Sequence, residues 1–337
     1  MNYRKIGLLF LFLIVIGALV FFPSQIRKSG VDLRKLFEKL TFEKMDWRLN
    51  QARVGVQPVC GIDDEWIVLV TGIDYRGSDY LYGLSDAIRV VRIDFTKPQI
   101  NIVPLPRNLV VDPPSAMDIE GKMMLNQTYF FGTSGMGHFS GEGYGAGALA
   151  AAIKETFGIA IDHYAVLNLA AFTQLIDAIG GIEVDLPTFV DDMPISYFPA
   201  GKQTLNGDQA LKLARARQKY SDQFRINSQS IILNAVYDRV KDPVILLKIP
   251  SIYQTLSSSI QTDLTAADVT TLLCLVSRIK AENLLLAEPP LDLLVSEYQF
   301  IPNMSQQMMI YRWDDRFITW LNETLWSGTQ PISGSGQ

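Results

Sequence analysis

Apolar and β-branched residues gather in short runs along this chain, separated by polar loops. Ile67 to Gly72 is an apolar, β-branched run and predicts a fully buried strand. Ala87 to Phe95 predicts a second strand, one that carries Arg89 and Arg92. Gln99 to Leu105 predicts a third after the Thr96-Lys97-Pro98 turn, and Pro104 and Pro106 point to its ending at an edge or bulge. Apolar positions then predict a helix over Ala146 to Phe157, a strand over Tyr164 to Asn168 and a helix over Ala170 to Ile179. Gly180-Gly181 stops that helix before a strand at Ile182 to Leu186. Asn206-Gly207 caps a short helix through Leu213. Beyond Val240 come a segment at Pro243 to Ser257, a helix near Ala266 to Ile279, a strand near Leu284 to Ala287 and a final helix over about Gln306 to Leu325.

The N-terminus follows a different pattern. Ile6 to Phe22 is apolar throughout, longer than a usual signal-peptide core, and no small-residue cleavage site follows it. A retained signal anchor is the expectation, with residues 1–5 cytoplasmic and residues 6–22 spanning the membrane. Basic residues lie on both sides, and Arg27, Lys28, Arg34, Lys35 and Lys39 lean toward an inside body by charge alone. Val31 to Asn50 reads as a juxtamembrane helix or stalk within residues 23–60. Residues 61–242 would form a core, 243–326 its C-terminal extension and 327–337 a flexible tail. The glycine-rich stretch Phe131 to Gly147 lacks the spacing of a dinucleotide fingerprint and reads as a mobile loop.

Composition narrows the chemistry. A net charge of −5 argues against general nucleic-acid binding. With only two histidines, a histidine-rich zinc site is nearly excluded, so any metal would be a hard one held by oxygen. Cys60 and Cys274 read as two buried thiols, with pairing in an oxidising compartment left open.

Three groups of residues carry candidate chemistry. Asp74 stands just past the first strand and Asp86 just before the second, so a sheet places both at one rim, where they repel unless a cation sits between them. The same spacing fits two turn residues that end strands. Arg215 and Arg217, two apart, would share one face of a strand about 7 Å apart, which suits two phosphate groups. Asp222, Arg225 and Gln229 share a helix face, an arrangement that also fits a solvated, salt-bridged surface.

The order of these pieces resembles the LytR–CpsA–Psr family of cell-wall phosphotransferases. The resemblance rests on TGIDYR followed by LSDAIRVV, VPLPRNLVV, GKMMLNQTY, DAIGGIEVDLP, and TLNGDQALKLARAR followed by SDQFRINSQ, spanning about Ile67 to Val240. It implies an α/β fold with a mixed central sheet flanked by helices on both sides. It also implies transfer of a glycopolymer from a polyprenyl-pyrophosphate carrier to peptidoglycan, outside the membrane, which overrides the charge bias. Asp74 and Asp86 match the family's metal-binding aspartates, implying Mg2+. Arg107, Arg215 and Arg217 match phosphate-gripping arginines, Lys122 matches a lysine, and Asp222, Arg225 and Gln229 match the helix backing the site. Tyr164, Val166, Phe172, Leu175, Ile176 and Ile179 would line an apolar slot for the lipid, although core packing explains such positions as well.

The sequence departs from the family pattern at Leu84, where arginine is usual and for which Arg76 or Arg89 could substitute, although Arg89 fits a salt-bridged strand residue equally well. It departs again at Asn108, Gln218 and Ser228, and lacks a glycine between Phe224 and Arg225. Those losses keep a non-catalytic relative that binds polyprenyl phosphates or wall polymer in view, and with it a lipid-linked pyrophosphatase.

Overall fold

The computed structural model describes residues 59–62, 64–75, 82–193, 196–216, 222–257 and 259–328. All described residues belong to one compact unit, Gln57–Gln337. The expected membrane span lies outside the described residues, among which no helix is long and apolar enough to cross a membrane.

The strands, in chain order, are β1 (Glu65–Ile73), β2 (Ser85–Asp94), β3 (Gln99–Leu105), β4 (Val110–Val111), β5 (Met123–Met124), β6 (His163–Asn168), β7 (Ile182–Leu186), β8 (Val190–Asp192), β9 (Ser196–Phe198), β10 (Gly201–Leu205), β11 (Ile260–Thr262), β12 (Leu284–Leu286), β13 (Val295–Ile301) and β14 (Gln306–Arg312). The helices are α1 (Leu125–Gly132), α2 (Gly145–Phe157), α3 (Leu169–Ala178), α4 (Gly207–Arg215), α5 (Asp222–Val240), α6 (Pro243–Leu256), α7 (Ala266–Val276) and α8 (Asp315–Ser327). Six strands form the central sheet in the order β11-β6-β1-β2-β3-β12. β1 is antiparallel to β2 and parallel to β6, so the sheet is mixed.

Strand alternation sorts side chains between the two faces. Leu69, Ile88, Val90 and Val103 point to one face, where they pack with Leu149 and Ile153 of α2 and Phe317 and Leu321 of α8. Val68, Val91 and Ile93 point to the other and pack with Phe95 and with Leu275 of α7. A second apolar cluster joins α3, α4, α5 and α6 to β7 and β10 through Ile176, Leu213, Ile232, Ile245 and Val184. Helices therefore cover both faces, as the resemblance implies.

Several expectations are corrected. Cys60 and Cys274 are not thiols; they form a disulfide that ties the start of the folded unit to α7. The stretch from Gln306 is not helical at first: β14 pairs antiparallel with β13, and only Asp315 onward is α-helix. Tyr298 and Phe300 alternate with partly buried neighbours, a pattern of period two that marks a strand. The glycine-rich stretch is shorter as a loop than expected, since Phe131 and Gly132 close α1 and Gly145 opens α2. Gly145 and Gly147 are there for close packing: a Cβ on Gly147 would lie 2.0 Å from the Glu142 carbonyl oxygen. Arg215 is not on a strand but in the last turn of α4, whose N-cap Asn206 accepts a hydrogen bond from the Gln209 amide.

Candidate functional site

The site is built at the end of β1 and the start of β2. In their antiparallel register Gly72 faces Ala87 and Ile73 faces Ser85, which leaves Asp86 as the extra residue of a β-bulge. A bulge re-aims the side chain it carries, and here it releases Asp86 from the alternation that would have fixed its direction. Thr71 and Ser85 pin the bulge from beneath. The Thr71 hydroxyl donates to the Ala87 carbonyl at 2.9 Å and accepts from the buried Ser85 hydroxyl at 2.5 Å. Asp74 is fixed through its backbone, its amide donating to the Leu84 carbonyl at 2.9 Å.

Cations approach these carboxylates from three elements. Arg107, in the turn after β3, donates through Nη1 to Asp86 Oδ1 at 2.8 Å. Arg225 of α5, almost fully buried, brings Nη1 to 3.6 Å from Asp86 Oδ2. Arg215, at the end of α4, donates through Nη2 to Asp74 Oδ1 at 3.2 Å across a half-exposed pair. Arg89 leaves β2 on the face that α5 covers, where its Nη2 donates to Gln229 Oε1 at 3.3 Å and the Ile226 carbonyl at 3.4 Å. Burial first, and the like charge of Arg225 second, push the Arg89 guanidinium down to about 10.

Asp74, Asp86, Arg89, Arg107, Arg215, Arg225 and Gln229 thus meet around one end of the sheet. Arg76, Arg217 and Gln218 lie outside the described residues, as does the side chain of Asp222. Lys122 points elsewhere: its ammonium is 3.3 Å from Asp112 Oδ1, and it lines a separate cleft that contains none of the clustered residues. Among the positions expected to line a lipid slot, Val166, Ile176 and Ile179 are fully buried core, while Tyr164, Phe172 and Leu175 keep partial exposure.

Two residues at this rim were not singled out from sequence. Asn168 ends β6 beside Ile73 and caps α3, accepting from the Ala171 amide at 2.7 Å. Asn126 is buried, donates its backbone N–H to the Arg107 carbonyl at 2.9 Å, and has no hydrogen-bond partner for its Oδ1. Its signal was its place in GKMMLNQTY, but nothing in that spacing shows its backbone bonded to the Arg107 turn. Of the family departures, Asn108 is buried, with Nδ2 donating to the Met309 carbonyl at 3.2 Å, and Ser228 is buried on α5.

The sequence matches the LytR_cpsA_psr family over residues 39–302. The chain belongs to the LytR–CpsA–Psr family. This LytR–CpsA–Psr protein is 29% identical over 206 residues to the Bacillus subtilis polyisoprenyl-teichoic acid–peptidoglycan teichoic acid transferase TagV, a match covering 58% of this chain and 49% of the relative. It is 27% identical over 256 residues to the transferase TagU of Halalkalibacterium halodurans, covering 74% of this chain and 75% of the relative. The chain therefore spans about half the length of TagV. The solved structure of B. subtilis TagV matches with a TM-score of 0.63 at 22% identity, over 79% of this chain and 97% of that one. A structure of TagT bound to LIIa-WTA matches with a TM-score of 0.59 at 17% identity, over 82% of this chain and 94% of that one. These structural likenesses establish the fold.

Proposed function

We propose that this protein is a membrane-anchored phosphotransferase that moves a glycopolymer from a polyprenyl-pyrophosphate carrier to peptidoglycan. The observation that carries the reading is the convergence of Arg107, Arg215 and Arg225 on the rim that holds Asp74 and Asp86, with Arg89 buried beside Arg225. Phosphoryl transfer asks a protein chiefly for positioning and charge neutralisation, and guanidinium groups supply both in a fixed fork. A hydroxyl of the acceptor sugar would attack the phosphorus that bears the glycan. The new phosphodiester forms as the pyrophosphate P–O bond breaks, and polyprenyl phosphate leaves with the bond's electrons and takes up the proton that the hydroxyl gives up.

The donor set fits Mg2+. Asp74, just past β1, and Asp86, at the start of the adjacent β2, offer hard carboxylate oxygens, and Mg2+ commonly takes one or two carboxylates together with phosphate oxygens. Among the described residues no group of three or more acidic, histidine or cysteine side chains is gathered, so phosphate oxygens would complete the shell. Asp74 and Asp86 would hold the ion, which when bound neutralises charge on the pyrophosphate. Arg215 and Arg107 would then turn from the carboxylates to the phosphate oxygens.

The disulfide between Cys60 and Cys274 supports an extracytoplasmic domain, because such bonds persist in oxidising compartments. The partly exposed Tyr164, Phe172 and Leu175 support an apolar path for the lipid tail. Leu84 and Ser228 favour the second reading, a relative that binds the lipid without turnover, since each takes a charge away from the rim. Incubation with a polyprenyl-pyrophosphate saccharide, Mg2+ and peptidoglycan separates them. Release of polyprenyl phosphate with saccharide fixed to the wall supports the transferase, binding without release supports the second reading, and release of saccharide phosphate into water makes it a pyrophosphatase.

A further inference from the structure

Away from the arginine cluster, β4 and α2 face the β13–β14 hairpin across a cleft of about 620 Å3, inside the range of roughly 300–1,000 Å3 that small-molecule sites occupy. Its wall includes Asp112, Lys122, Glu155, Gln299, Arg312 and Trp313. We propose that this cleft binds an uncharged N-acetylhexosamine oligosaccharide, the backbone chemistry of the peptidoglycan acceptor. The acceptor role rests on the transferase reading; the binding itself does not.

The charges in the wall balance, two acids against two bases, and the bases already meet acids. Lys122 Nζ is 3.3 Å from Asp112 Oδ1, and Arg312 Nε is 3.3 Å from Glu297 Oε1. A polyanion entering such a site meets as much repulsion as attraction, so the cleft does not suit a phosphate-rich glycopolymer. A sugar hydroxyl both donates and accepts, so it pairs with a carboxylate and an ammonium at once. The Gln299 amide, with a donor and an acceptor on one plane, matches an acetamido group in the same way.

Trp313 supplies the apolar part. Its Nε1 donates to the Val110 carbonyl at 2.8 Å and its ring packs on Phe157 with centroids 5.2 Å apart. An aromatic held from two sides loses little freedom when a sugar ring lies against it. Val110 follows Arg107 by three residues, so their Cα atoms are no more than about 11 Å apart, a gap that a short saccharide bridges. Arg312 and Trp313 also lie past residues 39–302, so part of this wall comes from the chain's C-terminal elements rather than from the matched family region.

Titration of the full chain with chitotetraose, an uncharged acetamido-sugar tetramer, tests the proposal without donor or metal. Saturable binding is expected, weakened at least tenfold in the surface double variant Gln299→Ala/Arg312→Ala and unchanged in Asp74→Asn. The proposal is overturned if the wild type does not bind, if the double variant binds as well as wild type, or if a glycerol-phosphate polymer binds the cleft more tightly than the tetramer. Donor cleavage is scored separately on the same proteins. Binding without cleavage defeats the transferase reading and leaves the cleft standing, whereas cleavage without binding does the reverse.

Discussion

Arg89 and Arg225 lie buried side by side between β2 and α5, and their like charges help hold the Arg89 guanidinium down to about 10. A protein keeps two cations in such a place at a cost to its own stability, which an anionic ligand would offset. The depressed value penalises the folded state at every pH below about 10, and the penalty fades only as pH climbs from there toward the ordinary arginine range. Arg89→Met is therefore expected to leave stability unchanged or raise it by about 1–3 kcal/mol, as replacement of buried charge often does. The same change should weaken pyrophosphate binding at least tenfold. Denaturant titration and calorimetry read the two effects; a large destabilisation with intact binding would make Arg89 a structural residue only.

The two aspartates should separate in their effects on folding. Asp74 is half-exposed and meets one guanidinium, so Asp74→Ala should change stability by no more than about 1 kcal/mol. Turnover should nevertheless fall by two orders of magnitude or more. Asp86 faces Arg107 and the buried Arg225, so Asp86→Ala strands a buried charge and should cost about 3–5 kcal/mol. Equal melting temperatures for the two variants would count against this placement of Arg225.

Asp94 closes β2 and sets an acid limit on stability. Burial pushes its carboxyl up, but the Lys97 and Thr96 amides, the Thr96 hydroxyl and Arg92 outweigh that and leave it below the usual 3.8. A depressed carboxylate contributes stability that is present above its unfolded value and lost as pH falls through the folded one. Asp94→Asn should lower stability at neutral pH by about 1–2 kcal/mol and flatten its decline below pH 3.8. An unchanged acid slope would show that other carboxylates carry it.

The Cys60–Cys274 bond closes a span of 214 residues. Cross-links over long loops restrict the unfolded chain, so the double Cys→Ser variant should lose about 2–5 kcal/mol. Thiol reduction should lower the melting temperature of the wild type and leave that of the variant unmoved.

The sequence by itself determined the order of strands and helices wherever periodicity was clean. β3 and β7 fall where the apolar pattern puts them, while Asn206 opens α4 and the Gly180-Gly181 pair follows the end of α3 by local backbone chemistry. It also marked Asp74, Asp86, Arg107, Arg215 and Arg225 as candidates, because charged residues beside apolar strands and in family-like order are visible without coordinates. Only the tertiary structure decided which of them meet. The bulge at Asp86 comes from pairing with a strand across a loop, and a one-residue slip in that pairing reverses every side chain. Arg89 became a buried cation because α5, well over a hundred residues away, closes over its face of the sheet, while Lys122 turned to Asp112 and left the cluster. Contacts between residues so far apart in sequence depend on packing, and local spacing does not encode them.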